Sequence, residues 1–424
     1  DLKIRYSFGM TGNQTASDYA ALSRYSTIAY ADYVGIYPTQ LHNDRLGWET
    51  TIQHNLGLDW SMFNSRLSLT FDIYKKDTRD VLFSMKLPGT TGFSSSYTNI
   101  GNISNKGLEF TISGHMIKTR DFDWTASINF AFNRNRLYNI PEENKSIQNS
   151  LYIIDNDYTL GTMYGYHAIQ IFQYDQSNAF FVDENGNWQQ LTPVFDDKDR
   201  FVEYRLGDET YTGEVRQLRY GTEKGELFRG GDVMWDDINH DGVINDEDRQ
   251  VIGCGQPDFT GGFTTEFRWK GLRISAFFNF STGGDVINVY EANRNAHVYG
   301  TLTQASPVYL AKSWLAPGDI AKYPIPSTSR AIVQNTRLNS DLWIEDGSYI
   351  RLKNLKVSYS LPKQWVSTMH MQDWTFSVMM QDFFTWTNYD GFDPEIPSSG
   401  FAIGYDNNSY PRAKSVLCSM NITF

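Results

Sequence analysis

Side chains that switch between apolar and polar at every second position, in segments spread along all 424 residues, constrain this chain more than any other feature. Successive residues of a strand point to opposite faces, so such a pattern describes a sheet whose two faces meet different surroundings. Over residues 66–74, Leu67, Leu69, Phe71 and Ile73 share one face, against Arg66, Ser68, Thr70, Asp72 and Tyr74. Residues 108–116 set Leu108, Phe110, Ile112, Gly114 and Met116 against Glu109, Thr111, Ser113 and His115. Residues 121–133 set Phe122, Trp124, Ala126, Ile128, Phe130 and Phe132 against Asp123, Thr125, Ser127, Asn129 and Asn133. The same division runs through 2–10, 56–62, 259–269, 272–280 and 374–380.

Turn geometry tests the pattern independently, because a hairpin must bring the apolar faces of its strands to one side. A two-residue turn at Asn64 and Ser65 pairs Phe63 with Arg66 and Met62 with Leu67. One at Lys270 and Gly271 sets Trp269 opposite Leu272. A loop of Lys118, Thr119 and Arg120 predicts Ile117 against Asp121 and Met116 against Phe122. Between these lie long polar stretches at 11–46, 77–104, 134–257, 282–346 and 387–410. Short turns alternating with long loops suit a transmembrane β-barrel; a soluble, carbohydrate-binding β-sandwich is the other architecture with such strands.

Hydropathy excludes spanning helices, since apolar residues make up only 40% and the mean hydropathy is −0.46. A barrel survives that test, because lipid-facing and lumen-facing residues average out along each strand. Aromatic residues form 15% of the chain, enough for the interfacial girdles of a barrel. A net charge of −12 without a basic cluster argues against a nucleic-acid partner. Cys254 and Cys418 stand far apart, supporting neither a disulfide framework nor a Cys-type metal site. No leader-like run follows Asp1, so the chain reads as a fragment or processed product. At its other end, Val416, Cys418, Met420, Ile422 and Phe424 form one face of a last strand. Its terminal aromatic resembles the signal read by the barrel-insertion machinery of Gram-negative bacteria.

More specific features are separated motifs. They are Phe8-Gly9-Met10-Thr11-Gly12-Asn13-Gln14, Ser104-Asn105-Lys106-Gly107-Leu108-Glu109, Gly231-Asp232 with the acidic run 236–248, and Pro257-Asp258-Phe259. Two longer ones follow, at 343–355 from Trp343 to Leu355 and at 384–395 from Phe384 to Glu395. In this order, across nearly the whole chain, they resemble the SusC/RagA family of TonB-dependent outer-membrane transporters. The resemblance implies an all-β, antiparallel transmembrane β-barrel: the C-terminal part of a plugged barrel of about 22 strands with long extracellular loops. Residues 1–424 would supply about ten strands, and residues 231–252 an EF-hand-like acidic loop within an extracellular insertion. Plug, TonB-engaging segment and first strands would lie before Asp1. A companion chain or further segment is expected to close the barrel, because open edges leave backbone groups unpaired in lipid.

The function implied is import of oligosaccharides or oligopeptides across the outer membrane of a Bacteroidetes-type Gram-negative cell. Implied partners are a SusD-like surface lipoprotein as hinged lid, the TonB complex, the glycan or peptide ligand, and outer-membrane lipid. A passive porin or a surface binding and adhesion barrel is the alternative. The motifs do not distinguish sugar from peptide, because selective groups sit in loops.

Asp237, Asn239, Asp241, Gly242, Asn245 and Asp248 fall at positions 1, 3, 5, 6, 9 and 12 of an EF-hand-like loop, with the Val243 carbonyl at position 7. Oxygen ligands at this spacing suit calcium, the one cofactor expected. Asp248 replaces the usual bidentate Glu, and a polar loop bonding its own backbone is the competing reading. Trp188, Trp235, Trp314 and Trp343 are candidates to stack on ligand, or to pack beneath loops. Asp59, Asp72, Glu109, Asp123, Glu266 and Arg268 are expected on the wet inner face. No nucleophile elbow, His-Glu-x-x-His or phosphate loop is present, so no enzymatic activity is expected.

Overall fold

The structure, a computed structural model, describes all residues except 15–18, 31, 88, 94, 143–144, 149–150, 297–306, 327–338 and 398–399. Its main element is one antiparallel sheet of ten strands, paired in chain order. The strands are β1 (Leu2–Asn13), β2 (Glu49–Met62), β3 (Leu67–Arg79), β4 (Asn102–Lys118) and β5 (Phe122–Tyr138). They continue with β6 (Phe259–Trp269), β7 (Leu272–Thr282), β8 (Tyr349–Ser360), β9 (Asp373–Thr387) and β10 (Ser415–Thr423). Among the described residues β1 and β10 do not pair with each other.

Registers carry the apolar rows across strand after strand. Leu2, Trp60, Leu69, Ile112, Ile128, Phe263, Phe278, Leu352 and Phe384 are consecutive cross-strand partners over nine strands. These rows are not covered by a second protein layer: Ile4 is 70% exposed, Met10 66% and Phe384 50%. A sandwich would bury that face. Left in water it would oppose folding, at roughly 25 cal/mol for each Å²; against lipid tails it costs nothing. Beside the short turns an aromatic row forms where Trp269, Leu272, Tyr359 and Phe376 pair in succession, as in a membrane-interface girdle.

Two of the three expected turns have the expected register. Met62 pairs with Leu67 around Asn64 and Ser65, both at positive φ, and Trp269 pairs with Leu272 beside Lys270, also at positive φ. The third differs. Lys118 pairs with Asp123 and Ile117 with Trp124, three residues from the expected register, of which a bulge at Met116 accounts for one and a displaced turn for two. The Thr119 amide and hydroxyl both donate to the Phe122 carbonyl, which fixes a turn longer than the sequence suggests. The bulge brings Ile117 opposite Trp124 on the apolar face.

Five long connections, 14–48, 80–101, 139–258, 283–348 and 388–414, all leave the sheet at one end. Four short ones, 63–66, 119–121, 270–271 and 361–372, lie at the other, the last containing a short helix at Lys363–Thr368. Three of the long connections condense into a cap with its own core. Leu151, Tyr152, Phe172, Phe228 and Trp235 come from the first of these, and Ile287, Tyr309 and Trp343 from the second, with Tyr405 of the third packed against them. A small sheet joins the second and third of them, with Asp285–Asn288 antiparallel to Ile344–Asp346 and parallel to Tyr405–Asp406. Most fully buried side chains thus belong to the cap, and the wall is thin.

Candidate functional site: the inner wall and its cap

On the inner face, the charged residues expected there are tied to partners. Arg5 donates from Nε to Asp59 Oδ2 at 2.7 Å and from Nη2 to Asp72 Oδ2 at 3.1 Å. Its guanidinium crosses Gly57 so closely that a Cβ there would lie 2.6 Å from Arg5 Cζ. His115 Nδ1 stands 2.7 Å from Asp123 Oδ1, and Arg268 donates to Glu266 at 2.9 Å. The face is therefore charged yet internally paired, a surface that stays wetted without holding one sign of ligand strongly.

Glu109 belongs to a different feature. Between the inner face of β4–β8 and the cap lies a cavity of about 640 Å³, lined on the wall side by Glu109, Asn129, Asn279 and Tyr349 and on the cap side by Asp285 and Glu395. Its volume is that of a small-ligand site, roughly 300–1,000 Å³. Asn279 Nδ2 donates to the Tyr349 hydroxyl at 3.2 Å, while its Oδ1 has no hydrogen-bond partner. Burial pushes the Asp285 carboxyl above its ordinary value, with Asp346 and Asp258 adding repulsion.

Sequence reasoning missed the ion cluster at the rim of this cavity. Arg351 is 3% exposed and donates to Asp393, and its Nη1 lies 3.3 Å from Glu395 Oε2. Lys353 donates to the same Glu395 oxygen at 2.7 Å, and Arg412 Nη2 lies 2.9 Å from Glu395 Oε1. Two local irregularities assemble it: Lys353 is an extra residue of β8 relative to β7, and Asp382 of β9 has a φ of 54°. The cluster fastens the connection 388–414 to the wall. Arg351, Lys353, Asp393 and Glu395 all sit in the motifs quoted above, so their signal was present; their pairing was not.

The acidic loop folds within the cap. Asp237 Oδ2 accepts from the Gly242 amide at 2.8 Å, Asn239 Oδ1 from Asp241 at 3.0 Å, and Asp241 Oδ1 from Val243 at 2.7 Å. Asn245 and Asp248 cap a short 3-10 helix at Asp246–Asp248, where the Asn245 amide donates to Asp248 Oδ2 at 2.8 Å. Gly242 has a φ of 83° and lies under the Trp188 ring. Burial pushes both the Asp237 and Asp248 carboxyls up, with the Asp241 charge adding repulsion. Among the described residues no three His, Cys, Asp or Glu side chains form a metal-holding group by themselves. Any cation here would also need Asn and backbone oxygens.

The four tryptophans separate. Trp235 and Trp343 are each 1% exposed and Trp314 6%, so their rings are covered by the cap. Trp343 stacks on Tyr323 at 5.2 Å, and Trp314 donates to Gln173 Oε1 at 3.2 Å. Trp188 is partly exposed, packs on Phe180 at 5.4 Å, and donates to the His240 carbonyl of the acidic loop at 3.0 Å.

Comparison with known proteins agrees with this architecture. Residues 1–222 match the model of the family described as TonB dependent receptor-like, beta-barrel. A TonB-dependent receptor of Formosa agariphila is 34% identical over 428 residues, covering 100% of this chain and 40% of the relative. The TonB-dependent receptor SusC of Bacteroides thetaiotaomicron is 25% identical over 435 residues, covering 100% and 38%. The RagAB peptide importer in its closed-closed state superposes with a TM-score of 0.70 at 25% identity, covering 100% of this chain and 41% of that one. The chain spans about two fifths of the length of the curated relatives it matches.

Proposed function

This chain belongs to the TonB-dependent receptor β-barrel family, and from that premise we propose that it forms the C-terminal wall and loops of an outer-membrane importer of oligosaccharides or oligopeptides. One observation carries the reading: a sheet with an unbroken apolar outer face and a paired, charged inner face, closed at one end by a folded cap over a cavity lined by polar and aromatic side chains together. Such a wall separates lipid from water, and such a cavity offers aromatic faces beside hydrogen-bonding groups, a mixture that suits an oligosaccharide or an oligopeptide. That a fold-matched relative is described as a peptide importer supports the peptide branch; SusC supports no particular cargo by its name.

The free edges of β1 and β10 are completed, on this reading, by strands from the rest of a longer polypeptide, since unpaired backbone in lipid costs several kcal/mol for each group. A plug from that portion fills the lumen and is remodelled by TonB. A SusD-like lipoprotein closes over the cap from outside, at the end where the long connections gather.

Uptake of labelled oligosaccharide and oligopeptide mixtures by cells carrying the complete gene tests this. Import that disappears when TonB is removed is the expected result. Import indifferent to TonB would make the chain a passive porin, and surface capture without import would make it an adhesion barrel.

A further inference from the structure

The acidic loop of the cap is not used by the transport reading, and it gathers three carboxylates and two Asn side chains within one tight turn. Asp237 is 8% exposed; one of its oxygens is held by the Gly242 amide, while the other, Oδ1, is buried without a hydrogen-bond partner. A buried carboxylate oxygen in that state is unfavourable in its charged form until a cation or a proton meets it. The Asp241 amide donates to Asn239 Oδ1 at 3.0 Å and also lies close enough to the Asp237 carboxylate to favour its charge.

Three carboxylates crowd the spot. Asp237, Asp241 and Asp248 repel one another, and Asp248 is completely buried. Asn239 and Asp241 lie exposed at the outer turn, which leaves the loop open to solvent ions on one side. No Lys or Arg pairs with Asp237, Asp241 or Asp248 among the described residues.

We propose that this loop binds one calcium ion, through Asp237 Oδ1, Asn239, Asp241, the Val243 carbonyl and Asp248, with Asn245 reached through water. The ligands are hard oxygens, neutral and charged in mixture, in a flexible turn rather than a rigid octahedron, which favours calcium over magnesium. Rigidity is what the ion supplies. Arg219 and Tyr220 pair in parallel with Val243 and Ile244, and Trp188 braces the loop from the His240 carbonyl, so ordering the loop orders two further segments of the cap. This inference is independent of cargo and of TonB, and it stands or falls apart from the transport reading.

The test uses the complete transporter purified in detergent, stripped with a chelator and returned to about 1 mM calcium, the affinity range of extracellular modules. Bound calcium is counted by elemental analysis after desalting and by radiolabelled calcium at equilibrium, for wild type and for Asp237→Asn and Asp241→Asn. Other sites in the complete protein cancel in the comparison. The expected result is one calcium fewer in each variant, with calcium slowing trypsin cleavage within 214–249 about tenfold in wild type and not in the variants. Equal calcium counts in wild type and both variants overturn the proposal, whether or not the variants are stable. So does protection by magnesium at the same concentration as calcium, which would mark a general cation effect.

Discussion

Tyr74 lies across Gly107, its ring filling the space a side chain there would take: a Cβ on Gly107 would stand 2.2 Å from Tyr74 Cζ. The two are cross-strand partners on the inner face, and the Tyr74 hydroxyl reaches over to donate to Asn133 Oδ1 on the next strand at 3.2 Å. Arg5 crosses Gly57 in the same manner to reach Asp72. A side chain laid over glycine spans three strands and so ties register beyond nearest neighbours.

Gly107→Val is therefore expected to expel the ring and cost about 1–3 kcal/mol, the usual range for overpacking. Removing the ring as well, in Tyr74→Ala/Gly107→Val, should recover part of that loss, so the two single changes will not add. Urea unfolding of the complete protein in lipid reads both, and strictly additive costs would refute the contact.

Face assignment is testable at adjacent residues. Phe71 pairs with Leu58 and Phe110 on the outer face, whereas Thr70 pairs with Asp59 and Thr111 on the inner. Phe71→Arg should cost about 2–4 kcal/mol in a bilayer, as charges do on the lipid face. Thr70→Arg, next to Asp59, should change stability by no more than about 0.5 kcal/mol. Similar costs for both would mean that the outer face does not meet lipid.

Breaking the rim cluster should be most expensive on its Arg351 side. Arg351→Met removes the guanidinium that Asp393 faces and is expected to cost about 3–5 kcal/mol, whereas Asp393→Asn leaves Arg351 beside Glu395 and Asp382 and should cost less. Arg351→Lys keeps the charge but loses the fork that serves Asp393 and Glu395 together, so it should restore little. Faster protease cleavage within 388–414 is the local readout.

Glu345 gives a pH dependence with a definite sign. It lies in the cap sheet, accepts from the Asp390 amide at 2.8 Å, and burial raises its carboxyl above the ordinary 4.5. A raised folded value means the protonated form suits the fold, so this stabilising contribution is complete below 4.5 and is lost as pH climbs through the folded value. Hydrogen exchange in 344–346, corrected for intrinsic rate, should quicken as pH rises above the ordinary 4.5 and through the raised folded value. Glu345→Gln should flatten that dependence; an unchanged slope would assign it elsewhere.

Much of the wall was legible because one physical rule, two solvents on two faces, writes itself locally into alternate residues. Nine strands and two turn registers followed from it. β8 did not, since Lys353 shifts its apolar set from Ile350 and Leu352 to Leu355, Val357 and Tyr359. The Met116 bulge hid part of the third turn's register for the same reason: an inserted residue reverses parity, and period alone cannot say where. The cap was illegible as a unit. Its core joins Tyr152 to Trp343 and Tyr405, and contacts between residues so distant in sequence leave no periodic trace. That is also why Trp235 and Trp343 looked like ligand platforms, although they fill the cap interior. The acidic loop was legible residue by residue, but the orphaned Asp237 oxygen was not.

The cap draws its interior from three connections separated by paired hairpins, and this interleaving acts on assembly. Tyr152, Ile287 and Tyr405 meet only if every strand from β5 to β10 has settled at its proper height. A slip of one hairpin would carry its cap segment away from the others and flip its outer side chains inward. The water-facing crown thus works as an inspector of the lipid-facing staves, completing itself only on a wall built in register.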